Sequence, residues 1–297
     1  MGKYNFETAD FNSGLWEHLR GAYGNIQEDI APLMADTPEV PDNEKTLSPY
    51  ASFESDYMIA FDNILQQLSH QMSFYNASYI ALPYLANAFN YWYEKDDFVM
   101  QVLFLVNTGV IVSTDNEDNH QYNNDITDTI PENIMESYNQ SILFFKEKAE
   151  ELLINRLDML KQFEPDIVSY ICISLLALVG KREHSFVLLL ENFSQCPVVC
   201  ENCGFFLEEI ELDNDIENPE INEELNSMIT PAPLVIGEWD KKSLDNTYMW
   251  LSNVLHIAGN DYDAKKLSYF YGTFTCPECG TKSGPVIDVC MKALMGC

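Results

Sequence analysis

FESDYMIAFDNILQQLSHQMSFY, residues 53–75, sets Tyr57, Phe61, Ile64, Leu65, Leu68, Met72 and Tyr75 three or four positions apart. An α-helix brings every third and fourth residue back to one face, so this spacing predicts a helix with a single buried side. Ser52 stands ahead of the run, where its hydroxyl can accept from the free N–H groups of the first turn. The same spacing returns along Ser52–Gln195, and strand-like alternation is scarce there. A second helix is predicted from about Ala77 to Tyr93, kinked where Pro83 removes a hydrogen bond. A third, DFVMQVLFLVN, is largely apolar, which predicts burial on more than one side, and is expected to stop at Gly109. From Pro131 a long helix should run to about Phe163, with Ile134, Tyr138, Ile142, Phe145, Ala149, Leu152, Leu153, Leu157 and Leu160 as its stripe. PDIVSYICISLLALVGKREHSFVLLLENF then predicts two shorter helices broken near Gly180.

Two blocks also carry a family likeness: LWEHLRGAYGN at 15–25 and LSHQMSFYNASYIALPYLANAF at 68–89. Their Trp16, Ala22, Tyr23, Gly24, His70, Gln71, Tyr75, Ala77, Ala81, Pro83 and Leu85 resemble the pattern of a bacterial group of HEAT-like helical repeat proteins. The resemblance covers roughly the first 110 residues and, more loosely, the thiol-bearing end. It implies an armadillo-type architecture and carries no catalytic motif. His70, one turn from Phe74 and beside the Ser69 and Tyr75 hydroxyls, is read as a packing residue that pins a helix pair.

CENCG at 200–204 and CPECG at 276–280 are two copies of one element. In C-x-x-C-G the chain turns back so that both thiolates face one point, and glycine accepts the backbone conformation that closes the turn. Cys200, Cys203, Cys276 and Cys279 together supply a closed tetrahedral set, the zinc-ribbon pattern, so a structural Zn2+ is expected. FFLEEIEL after the first turn reads as a ribbon strand with YGTFT as its partner, and KKSLDNTYMWLSNVLHIAGNDYDAKKLSYF as two helices joined near Gly259. Cys172 reads as core. Of the eight cysteines, metal binding and free thiols explain more than disulfides in a reducing compartment. The expected fold is therefore mainly α, a HEAT/armadillo-like helical solenoid over residues 1–195. A zinc-ribbon-type module with an inserted acidic segment and helices follows over 196–297.

Charge narrows the partners. The 297 residues are 46% apolar, enough for a sizeable core, and carry 47 acids against 16 Lys and Arg, a formal charge of −31. Thr46–Phe145 holds one base, Lys95, and Glu183–Asp240 holds none. Such a surface repels phosphate backbones and anionic lipids and attracts basic proteins. Asp115, Glu117, Asp118, Asp125 and Asp128 fall on one polar stretch and are a candidate binding loop. The N-terminus lacks the apolar run of a signal peptide, Gly2 lacks a myristoylation pattern, and the apolar stretches are short for a membrane helix. A cytoplasmic protein is expected.

Three function classes are open. For an enzyme, the chain has no His-Glu dipeptide of the kind that binds paired irons, no nucleophile elbow, no phosphate-binding glycine loop and no H-E-x-x-H. A nucleic-acid-associated regulator would need bases beside the zinc ribbon, where only Lys265, Lys266 and Lys282 stand against the acids. A protein-binding scaffold for a basic partner needs no catalytic group and uses the charge directly. With the resemblance, that partner could be a toxin and this chain its immunity protein.

Overall fold

The computed structural model describes residues 4, 6–48, 51–115, 130–190, 197–212, 217, 222–234 and 246–294. Helix predominates, and the described strands are two or three residues long. The chain forms two compact units, Met1–Asn155 with Ser174–Arg182, and Arg156–Ile173 with Glu183–Cys297. Among the described residues no helix is long and apolar enough to cross a membrane.

Unit 1 contains α1 (Leu15–His18), α2 (Gln27–Leu33), α3 (Asp56–Leu68), α4 (Ser78–Glu94), α5 (Phe98–Ser113) and α6 (Glu132–Asn155). Tyr57, Phe61, Ile64 and Leu68 of α3 are buried as their spacing predicts. The cap is Ser55 rather than Ser52, its side chain accepting from the Met58 N–H. The helix also ends earlier than the stripe suggested, so Met72 and Tyr75 lie beyond it. Gln71 and Met72 have φ of +52°, a left-handed backbone that no right-handed helix can include.

α4 continues through Pro83 and packs against α2, α5 and α6. Its Phe89 ring meets Phe104, Phe144 and Phe145 with centroids 6.2, 5.5 and 5.7 Å away. Each fully buried ring of this kind stabilises the fold by about 1.5–3 kcal/mol. α5 is the central helix: all of its residues except the half-buried Val99 are buried. It does not stop at Gly109. A Cβ there would lie 2.3 Å from the Ser174 carbonyl oxygen, so the glycine serves a close backbone approach inside the unit.

α6 ends at Asn155, short of Phe163; Arg156 leaves helical geometry and a 3-10 turn, Leu157–Gln162, follows. Leu160 of the predicted stripe is buried and Leu157 is not. Asp115 is likewise no part of an open acidic loop: it is 9% exposed and accepts from Tyr138 Oη at 2.8 Å and Arg182 Nη1 at 2.8 Å. Glu117, Asp118, Asp125 and Asp128 lie outside the described residues.

The two blocks quoted for the resemblance meet in unit 1, and the first also bonds to Gln67 just ahead of the second. The Ala22 N–H donates to the Gln67 carbonyl at 2.8 Å, Tyr23 N–H to Gln67 Oε1 at 3.0 Å, and Arg20 N–H to Asn76 Oδ1 at 2.7 Å. His70 lies in a 3-10 turn, half-buried, with Nδ1 2.9 Å from Tyr23 Oη. It therefore pins a loop to a helix end rather than one helix to another. With Tyr23 itself 67% exposed, His70→Ala is expected to cost only about 0.5–1.5 kcal/mol in chemical denaturation. A loss several times larger would show that the ring holds more than this contact.

Unit 2 takes Pro165–Ile173 of α7 (Pro165–Leu178) and most of α8 (Arg182–Leu190). It adds α9 (Asn222–Met228), α10 (Thr247–Ile257), α11 (Asp261–Phe270) and α12 (Val286–Leu294). Gly180 and Gly259, with φ of +90° and +81°, break the helices where the sequence predicts. Asn260 caps α11 by accepting from Asp263 N–H at 3.0 Å and donates to Ser169 Oγ at 2.8 Å, tying α7 to α11. The strands are β1 (Val198–Val199), β2 (Phe206–Leu207), β3 (Ile229–Thr230), β4 (Thr273–Thr275) and β5 (Lys282–Ser283). β1 pairs antiparallel with β2, and β4 lies between β3 and β5. The expected pairing of FFLEEIEL with YGTFT does not form. Each C-x-x-C-G is itself a hairpin turn, so the strands it joins pair with each other.

Candidate metal centre

The two hairpins repeat one another bond for bond. In the first, Cys200 N–H donates to the Phe205 carbonyl at 2.8 Å and Gly204 N–H to the Cys200 carbonyl at 2.9 Å. In the second, Cys276 N–H donates to the Thr281 carbonyl at 2.9 Å and Gly280 N–H to the Cys276 carbonyl at 2.9 Å. Gly204 and Gly280 have φ of +74° and +71°, a conformation that costs an L-residue roughly 1–2 kcal/mol. Burial repeats too: Cys200 and Cys276 are each 1% exposed, while Cys203 and Cys279 face solvent. α12 packs beneath β1 and β4 and so supports both halves.

The sequence-predicted ligands Cys200, Cys203, Cys276 and Cys279 come together, their sulfurs all within 4.8 Å of one another. Cys200–Cys279 and Cys203–Cys276 are each 3.6 Å apart. A disulfide would require about 2.05 Å. A tetrahedron of thiolates around an ion with metal–sulfur bonds of about 2.3 Å has edges of about 3.8 Å, close to what is seen. The donor set and its spacing therefore fit a single soft or borderline cation. Such an ion would supply a crosslink between hairpins, and the protein's part is to hold four sulfurs ready around it.

Two neighbours of the sulfurs were not singled out from the sequence. Thr281 Oγ1 lies 3.2 Å from Cys279 Sγ and Asn202 Nδ2 donates to the same sulfur at 3.6 Å. The Thr281 hydroxyl and N–H, then the Asn202 amide, hold the Cys279 thiol down to about 5. Both residues sit inside or one step beyond a C-x-x-C-G turn, where contact with a ligand is the rule.

The other cysteines divide. Cys172 is a buried free thiol, pushed up to about 12 by burial, which suits a core residue rather than a reactive one. Cys290 is in a disulfide, contrary to the expectation of free thiols outside the metal set; a lone cysteine carries no pairing signal in sequence. Cys196 and Cys297 lie outside the described residues. Comparison with protein-family models, with curated proteins and with solved structures finds no match to this chain.

Proposed function

We propose that this protein is a non-catalytic scaffold that engages a basic protein through an acidic, HEAT-like helical surface, with a structural zinc holding its C-terminal ribbon module. The observation that carries the reading is the charge, −31 on 297 residues, with one base in the whole of Thr46–Phe145. The packing of α2, α3, α4, α5 and α6 supports the repeat architecture, since each meets its next or next-but-one neighbour. Four thiolates leave no open coordination position for a substrate or an activated water, which favours a structural ion over a catalytic one. Neutralising a basic toxin, as an immunity protein does, is one form of this role and needs no chemistry beyond occlusion.

Pull-down from the source cell identifies the partner, and stopped-flow association then tests the mechanism. Raising salt from about 0.05 to 0.5 M shortens the screening length from roughly 14 to 4 Å, so association should slow at least about tenfold while dissociation changes less. A neutral or acidic partner, or association indifferent to salt, would overturn the proposal.

A further inference from the structure

Among the described residues β2 has one strand neighbour, β1. Cys200 N–H bonds to the Phe205 carbonyl, which makes Cys200 and Phe205 a hydrogen-bonded pair. Antiparallel pairs alternate, so the next pair, Val199 and Phe206, is the non-bonded kind. The N–H and C=O of Phe206 thus point away from β1, to the outer edge. Its ring is 58% exposed, while Ile210 and Leu212 further along are buried. Glu208, Glu209 and Glu211 between and beside them are exposed.

We infer that this edge of β2 is a docking strand for an extended, lysine- or arginine-rich peptide segment. The choice of occupant rests on charge. A second copy pairing edge to edge would set these glutamates against their own kind, and like charges directly opposed across strands destabilise the pair. A basic strand turns the same contacts favourable: the main chain of Phe206 supplies direction, the ring an apolar platform, and the carboxylates the selection. No base lies close to these glutamates in sequence, because Glu183–Asp240 contains no Lys or Arg; the one base of α12 that reaches this hairpin, Lys292, pairs with Glu201. This inference takes its partner's charge from the proposed function and adds a second contact on unit 2, separate from the helical surface.

The test uses the full-length protein prepared without chelator and labelled with 15N. The probe is an end-capped ten-residue peptide alternating Lys and Val, compared with the same peptide N-methylated at every backbone amide, which keeps the charge but has no N–H to donate on either edge. The plain peptide should bind at least about tenfold more tightly. It should also slow amide exchange at Phe206 and Glu208, and lose at least about tenfold in affinity against E208K/E209K. Phe206→Ser, at an exposed site that leaves the fold alone, should weaken it severalfold. Equal binding of both peptides, or protection scattered elsewhere, would reduce the effect to undirected attraction and overturn the inference. Dimerisation in sedimentation that Phe206→Ser abolishes would overturn it in favour of a second copy. Either result leaves the salt dependence of the natural partner to judge the proposed function on its own.

Discussion

Cys276→Ser is expected to abolish metal binding and unfold most of unit 2, while the helices of unit 1 remain. Serine at neutral pH is a protonated alcohol and cannot replace a thiolate. Four-thiolate sites of this kind bind zinc with about 10–16 kcal/mol of apparent free energy, as much as the whole stability of an ordinary domain. Metal analysis should find about one zinc per chain in the wild type and none in the variant, with far-UV dichroism reduced only in part. Cys279→Ser separates this cause from simple packing. Cys276 is 1% exposed but Cys279 faces solvent, so a packing effect would spare the second variant and a metal effect would not. Wild-type protein free of metal, or a benign Cys279→Ser, would remove the crosslink from the account.

Gly109→Ala should destabilise unit 1 by about 3 kcal/mol or more, although alanine is the better helix former by about 1 kcal/mol. The new methyl would sit 2.3 Å from the Ser174 carbonyl oxygen and 2.8 Å from its carbon, and both are main-chain atoms without a rotamer to yield. The surrounding residues of α5 are buried, so relief requires moving a packed helix. Gly14→Ala provides the reference, because nothing lies within 4 Å of a Cβ built there. Urea denaturation should show the first variant well below the second. A Gly109→Ala protein as stable as wild type would mean that the two backbones are less tightly opposed.

That glycine also marks the limit of what sequence reveals. Glycine in an apolar run reads as a helix stop because local reasoning sees only its backbone freedom; the Ser174 carbonyl it accommodates is remote in the chain. The helices themselves were legible wherever one side is wet, as at Tyr57, Phe61, Ile64 and Leu68, since burial then prints a period. The end of α6 was not, for Leu157 and Leu160 prolong the spacing past the point where the chain turns. Asp115 looked like an exposed acid because its partners, Tyr138 and Arg182, come from other elements. Strands of two residues, such as Val198–Val199, are too short to alternate at all. The clustering of the four cysteines was the most legible part, because C-x-x-C-G fixes a shape within five residues and its recurrence at 276–280 names the other half.

The repeated hairpins have a consequence for biosynthesis. Each closes through bonds inside its own few residues, so each can form within microseconds of being made. They are separated by residues 208–272, and at about 5–20 residues per second the ribosome needs several seconds to deliver the second after the first. During that interval the nascent chain displays Cys200 and Cys203 as a preformed two-thiol clamp with no mate. If a cation joins the two hairpins as proposed, its site can be completed only after the second is made, so the order of translation leaves the first pair of thiols without its mates for those seconds.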